Sequence, residues 1–368
     1  MSEQIKVGIT HGDINGVGYE ILLKAFSDER LQELFVPVIY GSSKSASYHK
    51  KVLDCGAVNF HIVNRTEECS AGKINLLNCV KEEVKIELGT ATAEAGESAF
   101  IALDIAARDL VAKKIDVLVT LPINKDTIQN DKFHFPGHTE FLQDRFADNG
   151  KALMILANNS LRVALVTSHI PVSEVSKKIS KELIIEKLTT LNSSLKRDFR
   201  IETPRIAVLG LNPHAGENGL LGKEELEIIA PAVKKAQEAG ILCVGPFAAD
   251  GFFGTGKYRE FDAILAMYHD QGLIPFKTIA MDSGVNFTAG LPIVRTSPDH
   301  GTAYDIAGKN IASEESFRQA IYMAMDIFTN RRAYDEAREN PLRKMFFDRG
   351  KDDVRLDLTA EEEKEEKG

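Results

Sequence analysis

Short apolar runs alternate with amphipathic stretches along most of this chain. Residues 5–10, 35–40 and 115–119 have the length and composition of buried strands, whereas residues 99–113 place their apolar positions at helical spacing. Strand and helix patterns of this kind follow one another throughout the sequence. This order is typical of a mainly parallel sheet covered by helices, so the sequence predicts an α/β protein.

Three of the apolar runs lead into a histidine. The runs 161–166, 205–210 and 263–268 are followed by His169, His214 and His269. If these strands are parallel neighbours, the three imidazoles emerge at one edge of the sheet, where open α/β sheets bind ligands. Three histidines with an open position outline a catalytic metal site. The alternative is three unrelated loop histidines.

A glycine-rich loop at residues 11–18 separates the first predicted strand from a predicted helix at 19–26. Strand, glycine loop and helix open many nucleotide-binding α/β units. The glycines do not fit the spacing G-x-G-x-x-G, so the Rossmann fingerprint is absent. The loop is therefore either a cofactor loop of another kind or a tight turn without a ligand.

Several positions are candidates for binding an anion. His138 and Thr139 precede a predicted helix at 141–147, whose free N–H groups are suited to a phosphate, with Thr139 as its cap. The alternative is a capping box with an exposed histidine. Arg295 follows an apolar run and is able to clamp a carboxylate or phosphate bidentately, and Lys125 lies at a strand exit. The alternative for both is a solvated surface side chain.

Composition narrows the class of protein. The chain has 368 residues, of which 43% are hydrophobic and 27% charged, and its formal net charge is −9. That charge argues against a nucleic-acid binder with a broad basic surface. The four cysteines form no C-x-x-C pair, as expected of reduced thiols. Neither a signal-peptide core nor an apolar run of membrane-spanning length is present, so we expect a cytoplasmic protein with no membrane partner.

Seven longer stretches are more specific than any single residue. They read GDINGVGYEI, TLPINK, FPGHTEFL, TSHIP, LNPHAGENGLLGKEE, MYHDQGLIPFK and GVNFTAGLPIVRTSPDHGTAYDIAGK. Together they resemble the 4-hydroxythreonine-4-phosphate dehydrogenase family, the oxidative enzymes of vitamin B6 synthesis, over most of residues 5–330. The first loop and the DHGTAYDIAGK loop also resemble those of isopropylmalate and isocitrate dehydrogenases. Ile14, Asn15 and Tyr19 depart from the proline-containing first loop that is common in the family, and residues 44–90 and the tail carry extra sequence.

The resemblance implies an isocitrate/isopropylmalate dehydrogenase-like fold, with two α/β domains and an interdomain cleft. We expect one domain from residues 1–128 with 302–350, and a central domain at 129–301 that carries the metal and substrate residues and the dimer contacts. Residues 351–368 read as a charged, disordered tail. The family is a homodimer whose sites are built from both subunits, so the three histidines need not converge within one chain.

The resemblance also implies roles for individual residues. The metal ligands would be His169, His214 and His269; the substrate would be bound by His138 and Thr139, near its phosphate, and by Lys277, Asn286 and Arg295; the cofactor side would include Thr302 and Asp305. Lys277 and Asp270 are both candidates for the catalytic base, and the sequence does not choose between them.

The implied reaction is the NAD- or NADP-dependent oxidation of 4-phosphohydroxy-L-threonine, assisted by a divalent zinc, magnesium or cobalt ion that acidifies the hydroxyl. The β-keto product, 2-amino-3-oxo-4-phosphooxybutanoate, would then lose carbon dioxide to give 3-amino-2-oxopropyl phosphate. Three alternatives remain: a dehydrogenase of D-threonate or D-erythronate 4-phosphate from the same family, a non-redox phosphate acyltransferase-like enzyme, and a metal- or phosphate-binding protein without catalysis.

Overall fold

The computed structural model describes residues 4–80, 84–146, 151–280 and 282–339. Within these ranges the chain forms a twelve-stranded mixed sheet with α-helices on both faces. The strands are β1 (Lys6–Thr10), β2 (Val36–Gly41), β3 (Phe60–Val63), β4 (Ile74–Asn78), β5 (Val117–Thr120), β6 (Leu153–Ala157), β7 (Arg162–Leu165), β8 (Ile206–Leu209), β9 (Cys243–Phe247), β10 (Ala263–Ala266), β11 (Val285–Ala289) and β12 (Arg295–Pro298). The α-helices are α1 (Gly18–Phe26), α2 (Leu31–Leu34), α3 (Ser43–Val52), α4 (Ala93–Val111), α5 (His138–Phe146), α6 (Val172–Lys178), α7 (Lys181–Arg197), α8 (Ala230–Glu238), α9 (Ala249–Gly254), α10 (His269–Ala280) and α11 (Glu315–Glu339).

The strand order divides the sheet into two parallel sets. The order is β3-β4-β2-β1-β5-β12-β11-β6-β7-β10-β8-β9. The first six strands are parallel to one another, and so are the last four. Between them, β11 and β6 pair antiparallel with each other and with their outer neighbours. Because three reversals separate β12 from β7, the two parallel sets run in opposite directions.

The strands are buried on both faces, which is why they read as continuous apolar runs. In β5, Val117 and Val119 belong to the core shared with α1 and α11, whereas Leu118 belongs to the core shared with α4. The side-chain period of two places these neighbours on opposite faces of the sheet. A third cluster joins β7 and β10 to α9 and α10. The predicted α/β fold class is confirmed.

Several predicted boundaries shift for local reasons. Helix α4 begins six residues before residue 99, because the Thr92 side chain accepts a hydrogen bond from Ala95 N and caps it. The helix predicted over 224–239 is split into a π-helix, Glu225–Ile229, and α8. The helix predicted from residue 315 continues to Glu339.

Two expectations receive no test from the fold. The division into domains at residues 128/129 and 301/302 stays a prediction, and the predicted tail at 351–368 lies outside the described residues. Among the helices of the described ranges, none combines the length and the apolar character needed to cross a membrane.

Candidate active site

The three histidines that follow apolar runs come from neighbouring parallel strands. β7 and β8 both pair with β10, so His169, His214 and His269 follow the carboxyl ends of strands at one edge of the sheet. The rings of His169 and His269 are adjacent, with their centroids 5.9 Å apart. His214 does not join them: the described part of the chain contains no group of three His, Cys, Asp or Glu side chains arranged to hold a metal.

Each of these histidines has a carboxylate beside its Nδ1 atom. Glu217 Oε2 lies 3.1 Å from His214 Nδ1, Asp270 Oδ1 lies 2.7 Å from His269 Nδ1, and Glu140 Oε1 lies 3.7 Å from His169 Nδ1. A carboxylate at one ring nitrogen is the usual outer partner of a metal-binding histidine, because it fixes the ring and leaves Nε2 as the ligand. His169 beside Glu140 also lowers the pKa of that carboxyl group. The donor chemistry therefore fits a divalent ion such as zinc or cobalt.

A cavity of about 270 Å³ lies next to His169. Its lining includes the five predicted substrate residues His138, Thr139, Lys277, Asn286 and Arg295. Its floor is one face of the central strands: Asn286 of β11 lies opposite Ser297 of β12, and Thr288 and Arg295 lie two residues along on the same face. The cavity thus lies over the centre of the sheet, where β12 of the first parallel set meets the antiparallel strand β11, with α5 and α10 at its sides.

Arg295 is a buried cation at this floor. The residue is 3% exposed, and its guanidinium donates hydrogen bonds to the hydroxyls of Thr120 and Thr288. No carboxylate of the described residues lies within ion-pair distance of it. Burial lowers the pKa of Arg295 to about 10, which leaves it charged at neutral pH. Arg295, which follows an apolar run in the sequence, is itself the first residue of β12, and the alternative of a solvated surface arginine is wrong.

Two more polar atoms in the cavity are buried without a partner. His138 Nε2 and Asn286 Oδ1 form no hydrogen bond within the described chain. Burial, followed by the charges of Arg295 and Lys125, holds the pKa of His138 well below its usual range, so the ring is neutral. The alternative of an exposed histidine is therefore wrong. Thr139 does not cap α5, because the helix already begins at His138 and Thr139 lies in its first turn.

The two candidates for the catalytic base occupy different places. Lys277 lies inside α10 and lines the cavity, where its Nζ atom is 3.5 Å from Asp299 Oδ1. Burial raises the pKa of the Asp299 carboxyl group, which also lines the cavity. Asp270 is outside the cavity lining and is hydrogen-bonded to His269.

The predicted cofactor residues lie on a different loop. Thr302 O accepts a hydrogen bond from Val17 N at 3.0 Å, and a Cβ atom on Gly16 would approach Thr302 O to 2.6 Å. Tyr304 OH donates to Asp13 Oδ2 at 2.7 Å. The loop with Thr302 and the exposed Asp305 is therefore packed against the glycine-rich loop.

Comparison with known families matches residues 33–324 to the family described as Pyridoxal phosphate biosynthetic protein PdxA. The chain belongs to the PdxA family. It is 57% identical over 360 residues to the 4-hydroxythreonine-4-phosphate dehydrogenase of Bacteroides thetaiotaomicron, covering 98% of this chain and 99% of that protein. The crystal structure of the Klebsiella pneumoniae enzyme of the same name superposes with a TM-score of 0.76 at 33% identity, covering 89% of this chain and 98% of that one. The family resemblance inferred from the motifs is confirmed.

A third relative has a different name. A protein of Oceanobacillus iheyensis, provisionally named D-threonate 4-phosphate dehydrogenase, is 37% identical over 331 residues, which is 89% of this chain and 99% of that protein. Relatives with two substrate names thus match nearly the full length of this PdxA chain.

Sequence reasoning did not assign a role to several residues of this PdxA site. They are Thr120, Glu140, Glu217, Thr288 and Asp299. Thr288 was open to inference, because it lies two residues after Asn286 on a strand and shares its face. Glu217 was also open to inference, because it lies three residues after His214. Glu140 carries no such signal, since Glu140 and His169 are distant in sequence and meet only in the fold.

Proposed function

We propose that this chain catalyses the NAD(P)-dependent oxidation of 4-phosphohydroxy-L-threonine to 2-amino-3-oxo-4-phosphooxybutanoate, which decarboxylates to 3-amino-2-oxopropyl phosphate. The family match and the names of its relatives support this reaction. The observation that carries the proposal is the placement of Arg295, a buried cation with no carboxylate partner in the described chain, in one cavity with His169. A cavity with this lining fits an anionic substrate that lies beside the proposed metal site.

The anion would be held by a buried cation that has no carboxylate partner in the described chain and by the polar groups around it. Arg295 supplies a fixed positive charge, and a guanidinium binds phosphate or carboxylate oxygens with two parallel hydrogen bonds. His138 Nε2 and the Thr139 hydroxyl would bind the phosphate; both residues line the cavity near the start of α5 and its free N–H groups. Asn286 contributes a further polar contact at the same floor.

A metal ion and a nicotinamide fit the remaining features. His169 and His269 would hold the ion with His214, and each already has a carboxylate at Nδ1 that leaves Nε2 available. Thr302 and Asp305, beside the glycine-rich loop, would lie on the nicotinamide side. When bound, the two groups would supply Lewis acidity at the substrate hydroxyl and an acceptor for the hydride.

The chain's own side chains would then handle the proton. We assign Lys277 as the acceptor of the hydroxyl proton, because it lines the cavity and Asp270 does not. Lys277 would accept the proton as the neutral amine, and Asp299, through its carboxylate and its backbone carbonyl, would hold the ammonium that forms. Asp270 would orient His269. In the second step the C1–C2 bond breaks, its electron pair stays on C2, and that carbon takes up a proton.

The active unit would be a homodimer in which the partner subunit's His214 completes the metal site. His169 and His269 are adjacent in one chain, whereas the side chain of His214 is 66% exposed. The following residues Leu220, Leu221 and Leu226 are also exposed apolar side chains, as expected for a surface covered by a partner.

Complementation between two inactive variants tests the reaction and the shared site together. His214→Ala removes a proposed ligand, and Arg295→Met removes the anion-binding charge. Each homodimer should form almost no NADH from 4-phosphohydroxy-L-threonine with zinc, magnesium or cobalt present. If His214 and Arg295 of one site come from different subunits, random heterodimers should restore roughly a quarter of wild-type activity, because half the dimers then hold one intact site.

The outcomes separate the parts of the proposal. Full activity of His214→Ala would refute the metal assignment, and failure of the mixture to regain activity would refute the shared site. If wild-type protein forms no NADH, the redox reaction itself is refuted. A comparison of kcat/KM on 4-phosphohydroxy-L-threonine and D-threonate 4-phosphate decides between the two substrates that the relatives' names suggest.

A further inference from the structure

The turn that carries His214 has an unusual backbone. His214, Ala215, Glu217 and Asn218 all have positive φ angles, of 53°, 51°, 45° and 54°. Residues other than glycine avoid this left-handed region, because their Cβ atom comes too close to the following carbonyl oxygen. Several such residues in succession persist only where surrounding contacts hold them in place.

Glu225 supplies contacts of that kind. The residue is 3% exposed, and its Oε1 atom accepts hydrogen bonds from Leu211 N and Asn212 N, both at 2.7 Å. Its Oε2 atom accepts a third from the Asn212 side-chain amide at 2.9 Å. A carboxylate that accepts N–H groups of a turn forms charge-assisted bonds, which are stronger than neutral ones.

The carboxylate fills the inside of this turn. A Cβ atom on Gly216 would lie 2.6 Å from Glu225 Oε2, and one on Gly210 would lie 3.1 Å from Oε1. Glycine at these two positions therefore makes room for the carboxylate. Glu225 is also the first residue of the π-helix, a geometry that is frequent at functional sites.

A second, partly buried side chain connects this turn to the segment of His269. Gln271 Nε2 donates to Gly210 O at 2.6 Å, while its Oε1 atom accepts from Met267 N at 2.7 Å. The ends of β8 and β10 are thereby joined directly. Gln271 thus binds Gly210, and Glu225 binds the next two residues, which lead into the His214 turn.

We propose that Glu225 is a positioning residue that holds the His214 turn in its left-handed form, so that the imidazole is presented to the metal. This inference rests on the proposed function of His214 as a ligand. Glu225 lies outside the cavity lining, and so acts on the metal through the turn rather than by contact with the substrate.

Metal affinity of the full-length dimer tests this role without relying on turnover. Glu225→Gln keeps the size of the side chain but places an amide against the Asn212 amide, which Glu224 also holds at 2.8 Å. We expect zinc affinity, measured by competition with a chromophoric chelator, to fall by roughly 10- to 100-fold. Binding of inorganic phosphate to Glu225→Gln, measured by calorimetry, should stay unchanged. Glu227→Gln, a matched change at an exposed position, is the control: its visible spectrum when loaded with cobalt should be that of the wild-type protein.

The outcomes distinguish this inference from the proposed function. If His214→Ala loses zinc affinity and Glu225→Gln keeps it, Glu225 has no positioning role while the metal site stands. If His214→Ala keeps zinc affinity, the metal site itself is refuted. Should Glu225→Gln fail to fold, Glu225→Asp decides: it keeps the charge but withdraws the carboxylate by one methylene from Leu211 N and Asn212 N, and wild-type zinc affinity in that variant overturns the proposal.

Discussion

The cavity at Arg295 and the glycine-rich loop at residues 11–18 are both rich in buried polar groups, but they satisfy them differently. In the cavity, Arg295 has no carboxylate partner within the described residues, and His138 Nε2 and Asn286 Oδ1 have no hydrogen-bond partner there. At the glycine-rich loop, the Asn15 side chain bonds to Thr90 O, Thr92 Oγ1 and Glu87 N.

This difference separates groups that bind a ligand from groups that hold the fold. A buried polar group without a partner costs free energy, so several such groups gathered around one cavity indicate a ligand that satisfies them. We therefore expect the unsatisfied groups of the cavity to act in ligand binding, whereas Asn15 secures residues 87–92 against the glycine-rich loop. Substitutions in the two regions should accordingly separate loss of activity from loss of stability.

The largest expected effect is the loss of activity in Arg295→Met. If this desolvated charge binds the substrate anion as proposed, removing it should lower kcat/KM roughly 1000-fold, or about 4 kcal/mol. The free energy of unfolding should not fall, because the variant also removes an uncompensated buried cation. Steady-state kinetics and urea denaturation of the same preparation measure the two quantities.

Arg331 provides the matched control, since it is an equally buried arginine that does have a carboxylate partner. Its Nε atom lies 2.6 Å from Asp198 Oδ1, and Asp198 is 2% exposed. Arg331→Met leaves the Asp198 carboxylate buried without its cation, which should lower the free energy of unfolding by about 3 kcal/mol. If Arg295→Met is destabilised by as much, Arg295 is a structural residue and the contrast between the two regions fails.

Much of this site was accessible from the sequence because the strand pattern fixes where side chains leave the sheet. The apolar runs before His169, His214 and His269 located three neighbouring parallel strands, and the family motifs named the residues that line the cavity. The period of two also fixes which residues share a face, as for Asn286 and Thr288.

The rest depends on contacts between residues that are distant in sequence. No local pattern shows that the two parallel sets run in opposite directions, since that follows from the antiparallel pairing of β11 with β6 and β12. For the same reason the cavity floor lies on a sheet face between the sets, not only beyond the strand ends. The left-handed His214 turn is equally hidden, because Glu225 holds it from the following helix.

A smaller effect, a loss of folding stability at acidic pH, is expected from the two buried histidines beside the glycine-rich loop. Burial lowers the pKa of both His11 and His49 to about 4. At His49 the hydrogen bond with Ile14 O and the nearby Glu20 carboxylate act in the opposite direction but are outweighed by burial. Unfolded histidine titrates near 6.5, so between these values the unfolded chain binds protons that the folded chain does not. Stability from this source is complete above pH 6.5 and falls as the pH falls, by about 3 kcal/mol per histidine at pH 4.

Urea denaturation at several pH values checks this expectation. His49→Gln should make the fall in stability between pH 6.5 and 4 less steep, because only His11 then contributes. His134→Gln, at an exposed position, should leave the fall unchanged. His11 keeps its own lowered pKa in His49→Gln, so its part of the fall in stability should remain. Its Nδ1 atom has no hydrogen-bond partner in the described chain, unlike the side chain of Asn15. An equally steep fall in His49→Gln would show that His49 does not titrate with folding.

The smallest expected effect is the loss of stability in Asn15→Ala, a change at the glycine-rich loop. The variant leaves Glu87 N and Thr90 O without the amide that now joins them to the loop, at a cost of about 2 kcal/mol in the free energy of unfolding. Activity under native conditions should change little, because Asn15 is absent from the cavity lining. Asn59→Ala, at an exposed position, controls for loss of an amide as such. If Asn15→Ala instead lowers kcat with unchanged stability, the amide serves the cofactor side and the glycine-rich loop must be counted with the cavity among the ligand-binding regions.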